Sequence, residues 1–183
     1  MPRLFTALWP ATEAVAALRT ELAADDGWPP PGWRLTPTNL WHLTLCFHGD
    51  TEPEPVARRL RSRLSGREAP WLRLAGEVSF PGVLAVGLVA DCPAGDAALR
   101  DLAIAAGADA GRFRAHLSVA RGPRGRVGTE LLRRHRGPWW RPSEVCLVRS
   151  ELGSGPPRYT VLDRVPLVQE HAWSRRVETP FTP

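Results

Sequence analysis

Two short segments carry the side chains best suited to chemistry, Trp41-His42-Leu43-Thr44-Leu45-Cys46-Phe47 and Ala115-His116-Leu117-Ser118-Val119-Ala120-Arg121. Both read His-Leu-hydroxyl-aliphatic. Strand side chains alternate between faces, so His42 and Thr44 project one way while Leu43, Leu45 and Phe47 project the other, toward a core. The same alternation sets His116 and Ser118 against Leu117 and Val119. Two such strands facing one cleft offer two imidazoles and two hydroxyls to a single ligand. One imidazole can take a proton from an attacking oxygen while the other gives one to a leaving oxygen, because histidine titrates near neutrality. The hydroxyls can hold non-bridging phosphoryl oxygens. That is phosphoester chemistry, and it needs neither metal nor cofactor.

The elements that must position these residues follow from periodicity. Arg3–Trp9 reads as a strand and Thr12–Ala24 as a helix with Val15, Leu18 and Leu22 at helical spacing. Asp25–Pro37 is dense in Pro and Gly and reads as a loop, and Leu40–Phe47 as a strand. A helix over Pro55–Leu64 precedes strands at Trp71–Ser79 and Val83–Ala90, joined by a Pro81-Gly82 turn. A helix over Asp96–Ala108 leads to a strand at Arg114–Ala120, an Arg-rich loop with a short helix at Thr129–His135, and strands at Glu144–Glu151 and Tyr159–Pro166. Several neighbouring strands are joined by short turns, which predicts antiparallel pairing and an α+β class rather than a doubly wound sheet. Residues 1–169 are read as one domain and 170–183 as a C-terminal tail.

Composition narrows the chemistry further. All 24 basic residues are arginine, which removes mechanisms that need a lysine amine, such as Schiff bases, the P-loop lysine and nucleotidyl-lysine intermediates. The formal net charge of +5 favours anionic partners, and the guanidinium fork suits phosphate. An arginine bias of the genome explains the same counts. Three cysteines without CxxC pairing indicate reduced thiols rather than a disulfide framework or zinc ribbon. No HExxH or clustered His-carboxylate spacing suggests a metal. The longest apolar stretch, Val83–Ala90, is too short to span a membrane, so the chain is read as soluble and, with its reduced thiols, as cytoplasmic; a monomer is the expected state.

The paired motifs resemble the HxTx and HxSx signatures of the 2H phosphoesterase superfamily, specifically the bacterial RNA 2′,3′-cyclic phosphodiesterases, also called 2′-5′ RNA ligases. The resemblance covers most of the chain: RLFTALWP, NLWHLTLCFHGD, SFPGVLAVGLV, RAHLSVAR and SELGSGPPRYTVL follow the family's order. It implies two pseudo-symmetric lobes whose antiparallel sheets line a central groove, with helices packed outside and one motif from each lobe. It implies metal-independent hydrolysis of RNA 2′,3′-cyclic phosphate ends to 2′-phosphates. His42 and His116 match the catalytic pair; His116 as the base that activates water and His42 as the acid is one assignment, and the symmetry of the two motifs leaves the reverse order open. Thr44 and Ser118 match the phosphate-binding hydroxyls. ATP-independent 2′-5′ joining of RNA ends and a noncatalytic RNA-binding module are the alternatives. Ala115 stands where the family usually has Pro, which frees the backbone before His116. Ser118 often is Thr in the family, and Ser is the less stiff of the two.

Other residues have two readings. Arg121 matches a family arginine and could contact phosphate, yet strict alternation puts it opposite His116. Alternation likewise assigns Phe47 to the core rather than to base stacking. Tyr159 reads equally as structural between the lobes or as a ligand contact. The run Arg124, Arg126, Arg133, Arg134, Arg136 and Arg141 reads as a solvated face or an RNA-backbone surface. Trp28, Trp33, Trp41, Trp139 and Trp140 default to packing, with a base platform as the alternative. His48, His135 and His171 lack hydroxyl partners and read as structural or surface residues.

Overall fold

The computed structural model describes residues 3–124, 129–151, 153 and 156–169. Eight strands and four α-helices follow the chain as β1 (Arg3–Leu8), α1 (Thr12–Ala23), β2 (Arg34–Leu35), β3 (Leu43–Asp50), α2 (Pro53–Leu64), β4 (Leu72–Phe80), β5 (Val83–Ala90), α3 (Pro93–Ala106), β6 (His116–Arg121), α4 (Glu130–Arg134), β7 (Glu144–Glu151) and β8 (Arg158–Pro166). A 3₁₀ turn at Thr38–Leu40 precedes β3.

Every strand pairing is antiparallel, in the order β4-β5-β6-β3-β1-β7-β8, with β2 beside β6. The α+β class holds. The two halves of the sheet, β4-β5-β6 and β3-β1-β7-β8, meet through one paired position, Leu43 opposite Leu117. Each half ends at this seam on the strand that carries one of the two motifs.

Leu43, Leu45, Leu117 and Val119 turn to the helical side, each no more than 2% exposed. They enter the main core with Leu18 and Leu22 of α1, Leu60 and Leu64 of α2, and Leu99 and Leu102 of α3. The helices therefore cover one face and leave the other open. α3 is the best delimited: the Cys92 thiol accepts the Gly95 N–H, Pro93 sits in the first turn, and Gly107 ends the helix at φ 111°. Buried His135 holds Glu21 at 2.7 Å through Nδ1, tying the end of α4 to α1.

A second, smaller cluster of Phe5, Ala7, Cys146 and Val148 lies apart from the main core, with Trp9, Tyr159 and Val161 packed on it. It forms an apolar floor for the open face. Among the described residues no helix is long and apolar enough to cross a membrane. Residues 170–183, which contain His171, and Arg126 lie outside the described residues.

The seam yields a prediction. Leu117 is fully buried at the one pairing between the half-sheets. Leu117→Ala is expected to cost about 2–5 kcal/mol of unfolding free energy, read from the shift of the urea midpoint.

Candidate active site

His42 immediately precedes β3 and His116 opens β6, so the antiparallel seam at Leu43 and Leu117 sets the two motifs side by side and head to tail. His42 then falls alongside Ser118, and His116 alongside Thr44. All four side chains are half-buried. The backbone holds both rings the same way: His42 Nδ1 donates to Leu40 O and His116 Nδ1 donates to Arg114 O, each at 2.7 Å. A carbonyl only accepts, so each Nδ1 carries hydrogen and each Nε2 keeps its lone pair for the groove. The Thr44 and Ser118 hydroxyls have no hydrogen-bond partner among the described residues.

Aromatic rings wall in the imidazoles. Around His42 stand Phe5 at 4.9 Å, Trp9 at 5.7 Å and Tyr159 edge-on at 5.3 Å, centroid to centroid. Phe80 lies 4.5 Å from His116. Beyond Trp9 and Tyr159 opens a cavity of about 610 Å³, lined also by Asn39, Arg158 and Arg164.

Strict alternation fails at the same point in both motif strands. β1 pairs Thr6 with Cys46 and Ala7 with Thr44, which leaves Leu45 as an extra residue. β5 pairs Leu84 with Ala120 and Ala85 with Ser118, which leaves Val119 extra. Each bulge falls three residues after the motif histidine, and each inverts the faces that follow it. Phe47 consequently leaves the core: it is 77% exposed and lies across from Phe5, 6.2 Å away, on the His42 face. This corrects the core assignment of Phe47. By the same inversion Arg121, the last residue of β6, turns to the face of His116 and Ser118.

A relative from Thermus thermophilus named RNA 2′,3′-cyclic phosphodiesterase is 33% identical over 194 aligned positions, covering 92% of each chain. The chain belongs to that family of 2H phosphoesterases. The crystal structure of TT0787, also from Thermus thermophilus, superposes on this chain with a TM-score of 0.67 at 28% identity, covering 92% of this chain and 100% of that one. Escherichia coli LigT complexed with ATP has a TM-score of 0.73 at 23% identity, covering 92% and 99%, a likeness of fold. LigT complexed with 3′-AMP gives 0.70 at the same identity, covering 92% and 99%. No family model matches the chain.

The phosphodiesterase holds its two motif imidazoles below the ordinary histidine pKa. Burial is the main cause for both, partly opposed by the carbonyl that each Nδ1 holds. The Arg121 guanidinium lowers both further, and His116 lowers His42. Arg121 acts on Tyr159 as well, working against the burial that raises the phenol. One cation thus bears on three groups of the groove.

The remaining residues settle into structural places. His48 is held neutral, its pKa pushed to about 4 by burial and then by Arg59, while its Nε2 meets Thr6 Oγ1 at 2.7 Å. Trp33, Trp41 and Trp140 are core residues, and Trp139 lies under Arg73 at 4.4 Å. Arg133 and Arg134 pair with Glu130, Arg136 binds the Arg133 and His135 carbonyls, and Arg141 binds Ala69 O. Most of the arginine run therefore serves the fold. Trp9 and Phe80 carried no sequence signal beyond being aromatic; only the pairing of their strands brings them to the histidines.

These placements predict titrations. In the wild-type protein the NMR resonances of His42 and His116 are expected to titrate below pH 6.5. Removing the cation in Arg121→Gln favours the charged imidazoles, so both titrations move to higher pH. An unchanged titration in that variant would disconnect Arg121 from the pair.

Proposed function

We propose that this phosphodiesterase hydrolyses RNA 2′,3′-cyclic phosphate ends to 2′-phosphates, without a metal, by proton transfer through His116 and His42. The observation that carries the reading is the matched hold on the two rings. Each imidazole is fixed through Nδ1 to the carbonyl two residues back, which leaves Nε2 free, and the register of the seam sets each histidine alongside a hydroxyl residue of the other strand. A binding module needs phosphate contacts but no matched pair of proton carriers. The name of the Thermus relative supports the substrate class.

In the proposed step His116 Nε2 takes a proton from water, and the water oxygen attacks phosphorus. The P–O3′ bond breaks, and protonated His42 gives its proton to the departing 3′ oxygen, leaving a 2′-phosphate. Phosphorus gains one oxygen and loses another, and one proton passes to His116 as one leaves His42. His116 is the more open of the two rings, where water arrives. His42 lies among three aromatic rings, which fix the orientation of the imidazole toward the leaving oxygen. Thr44 and Ser118 donate to the non-bridging oxygens, and Arg121 offsets the charge that develops on them. Phe47 offers an exposed ring to a base. Joining of RNA ends through a 2′-5′ linkage is the same opening of the cyclic phosphate on the same residues, with a 5′-hydroxyl in place of water: its oxygen bonds to phosphorus as the P–O3′ bond breaks.

The reactive enzyme carries one proton on the pair. Because both imidazoles are depressed in the free protein, kcat/KM is expected to peak below pH 6.5. The bound anion raises both, so the kcat optimum lies at higher pH than that of kcat/KM.

The test is hydrolysis of adenosine 2′,3′-cyclic phosphate by metal-free protein with chelator, the products separated by chromatography. Only the 2′-monophosphate is expected. His42→Ala and His116→Ala should each lower turnover by roughly 10²–10⁴-fold. Undiminished turnover in either variant overturns the two-histidine mechanism.

A further inference from the structure

The loop read as Asp25–Pro37 contains a two-residue strand, β2, that the sequence did not signal. It pairs with the end of β6: Leu35 opposite Ala120, and Arg34 opposite Arg121. Directly opposed residues of an antiparallel pair share a face, with Cβ atoms about 5 Å apart. Two exposed guanidinium arms therefore stand side by side at the groove. Neither has an ion-pair partner among the described residues, and opposed like charges cost stability. Such a pair is stable in company with an anion.

The local structure is arranged to keep Arg34 there. Trp33, its neighbour, is only 7% exposed and belongs to the main core. The Trp33 ring lies so close over Gly122 that a Cβ there would run into it. Thr36 N–H donates to Val119 O at 2.9 Å, and Trp41 Nε1 donates to Thr36 O at 2.9 Å. The Val119 bulge turns Arg121 to the groove, and Trp33 with Gly122 fixes the register that sets Arg34 beside it. Arg121 bears on the two histidines, and Arg34 stands one strand farther out.

We infer that Arg34 and Arg121 form a second anion site, which takes the phosphate on the 5′ side of the nucleotide whose 2′,3′-cyclic phosphate is opened. The inference rests on the phosphodiesterase reading and extends it to substrate choice. Arg121 spans the two phosphates of that nucleotide, and Arg34 holds only the outer one. An RNA end, which always has a phosphate at this position, is then preferred over a nucleoside cyclic phosphate.

The experiment compares kcat/KM for adenosine 2′,3′-cyclic phosphate with and without a 5′-phosphate. Wild-type protein is expected to favour the 5′-phosphorylated nucleotide by about tenfold or more, the scale of a hydrogen bond to a charged group. Arg34→Gln should bring that ratio near one, and Arg34→Lys should restore part of it. Gly122→Ala, which displaces Trp33, should lose the ratio as Arg34→Gln does, with folding checked by circular dichroism.

Three results would overturn the site: equal use of both nucleotides by the wild type, equal loss on both in Arg34→Gln, or loss of the ratio in Arg164→Gln in place of Arg34→Gln. The last would send the chain over β8 into the cavity beside Trp9. Absence of turnover of either nucleotide would sink the phosphodiesterase reading instead. Calorimetric binding of the same two nucleotides to wild type and Arg34→Gln then decides the anion site independently, a tenfold ratio lost in the variant supporting it and equal binding overturning it.

Discussion

The pairing of Leu43 with Leu117 is the constraint from which the groove follows. Two half-sheets touch at one residue of each motif strand, so the neighbours of that residue are forced together. Because the contact is antiparallel, the motifs run head to tail, and each histidine meets the other strand's hydroxyl position. Because strand side chains alternate, burying the two leucines commits the two histidines to the opposite, open face. The core and the chemistry are thus two sides of one interaction. A longer seam would flatten the groove into continuous sheet, and with no seam the motifs would separate.

A short seam leaves β6 with ladder groups that β3 does not pair. β2 meets that need beyond the seam, since the chain at 34–36 returns along β6 and takes the Val119 carbonyl. An unpaired edge in a cleft would cost stability or invite other strands. The same insertion brings a charged side chain to the groove, so a solution to a backbone problem also shapes what the groove can bind.

Much of the fold was legible because it rests on strong periodicities. Val83–Ala90 and Glu144–Glu151 fall where the apolar runs place them, and α1 to α3 where apolar residues recur at helical spacing. The motif pair was legible for a different reason, the repetition of one residue pattern in both halves. What escaped was the bulge. Nothing in Leu45 or Val119 marks an extra residue, and period-two counting past them assigned Phe47 to the core and Arg121 to the wrong face. β2 escaped because two residues carry no period, and Pro and Gly around them signal only a loop. Trp9 and Phe80 reach the histidines through pairings between distant strands, which a single sequence does not encode locally.

The bulges also explain how a polar site survives on an apolar floor. Without them, the residue five positions after each histidine would enter the core, and for β6 that residue is an arginine. Burying an unpaired guanidinium among Leu84, Leu117 and Val119 would cost more than the fold could supply. With the extra residue, the apolar side chains stay inside and the charge emerges beside the histidines, where it lowers their affinity for protons. The two imidazoles then rest neutral, desolvated and pinned at Nδ1, in a groove whose cation awaits an anion. In the proposed reaction, a phosphate entering that groove supplies the negative charge that Arg121 lacks and that a protonated histidine needs. On that proposal binding prepares the proton inventory of the reaction, and the extra residue in β6 is what couples the two.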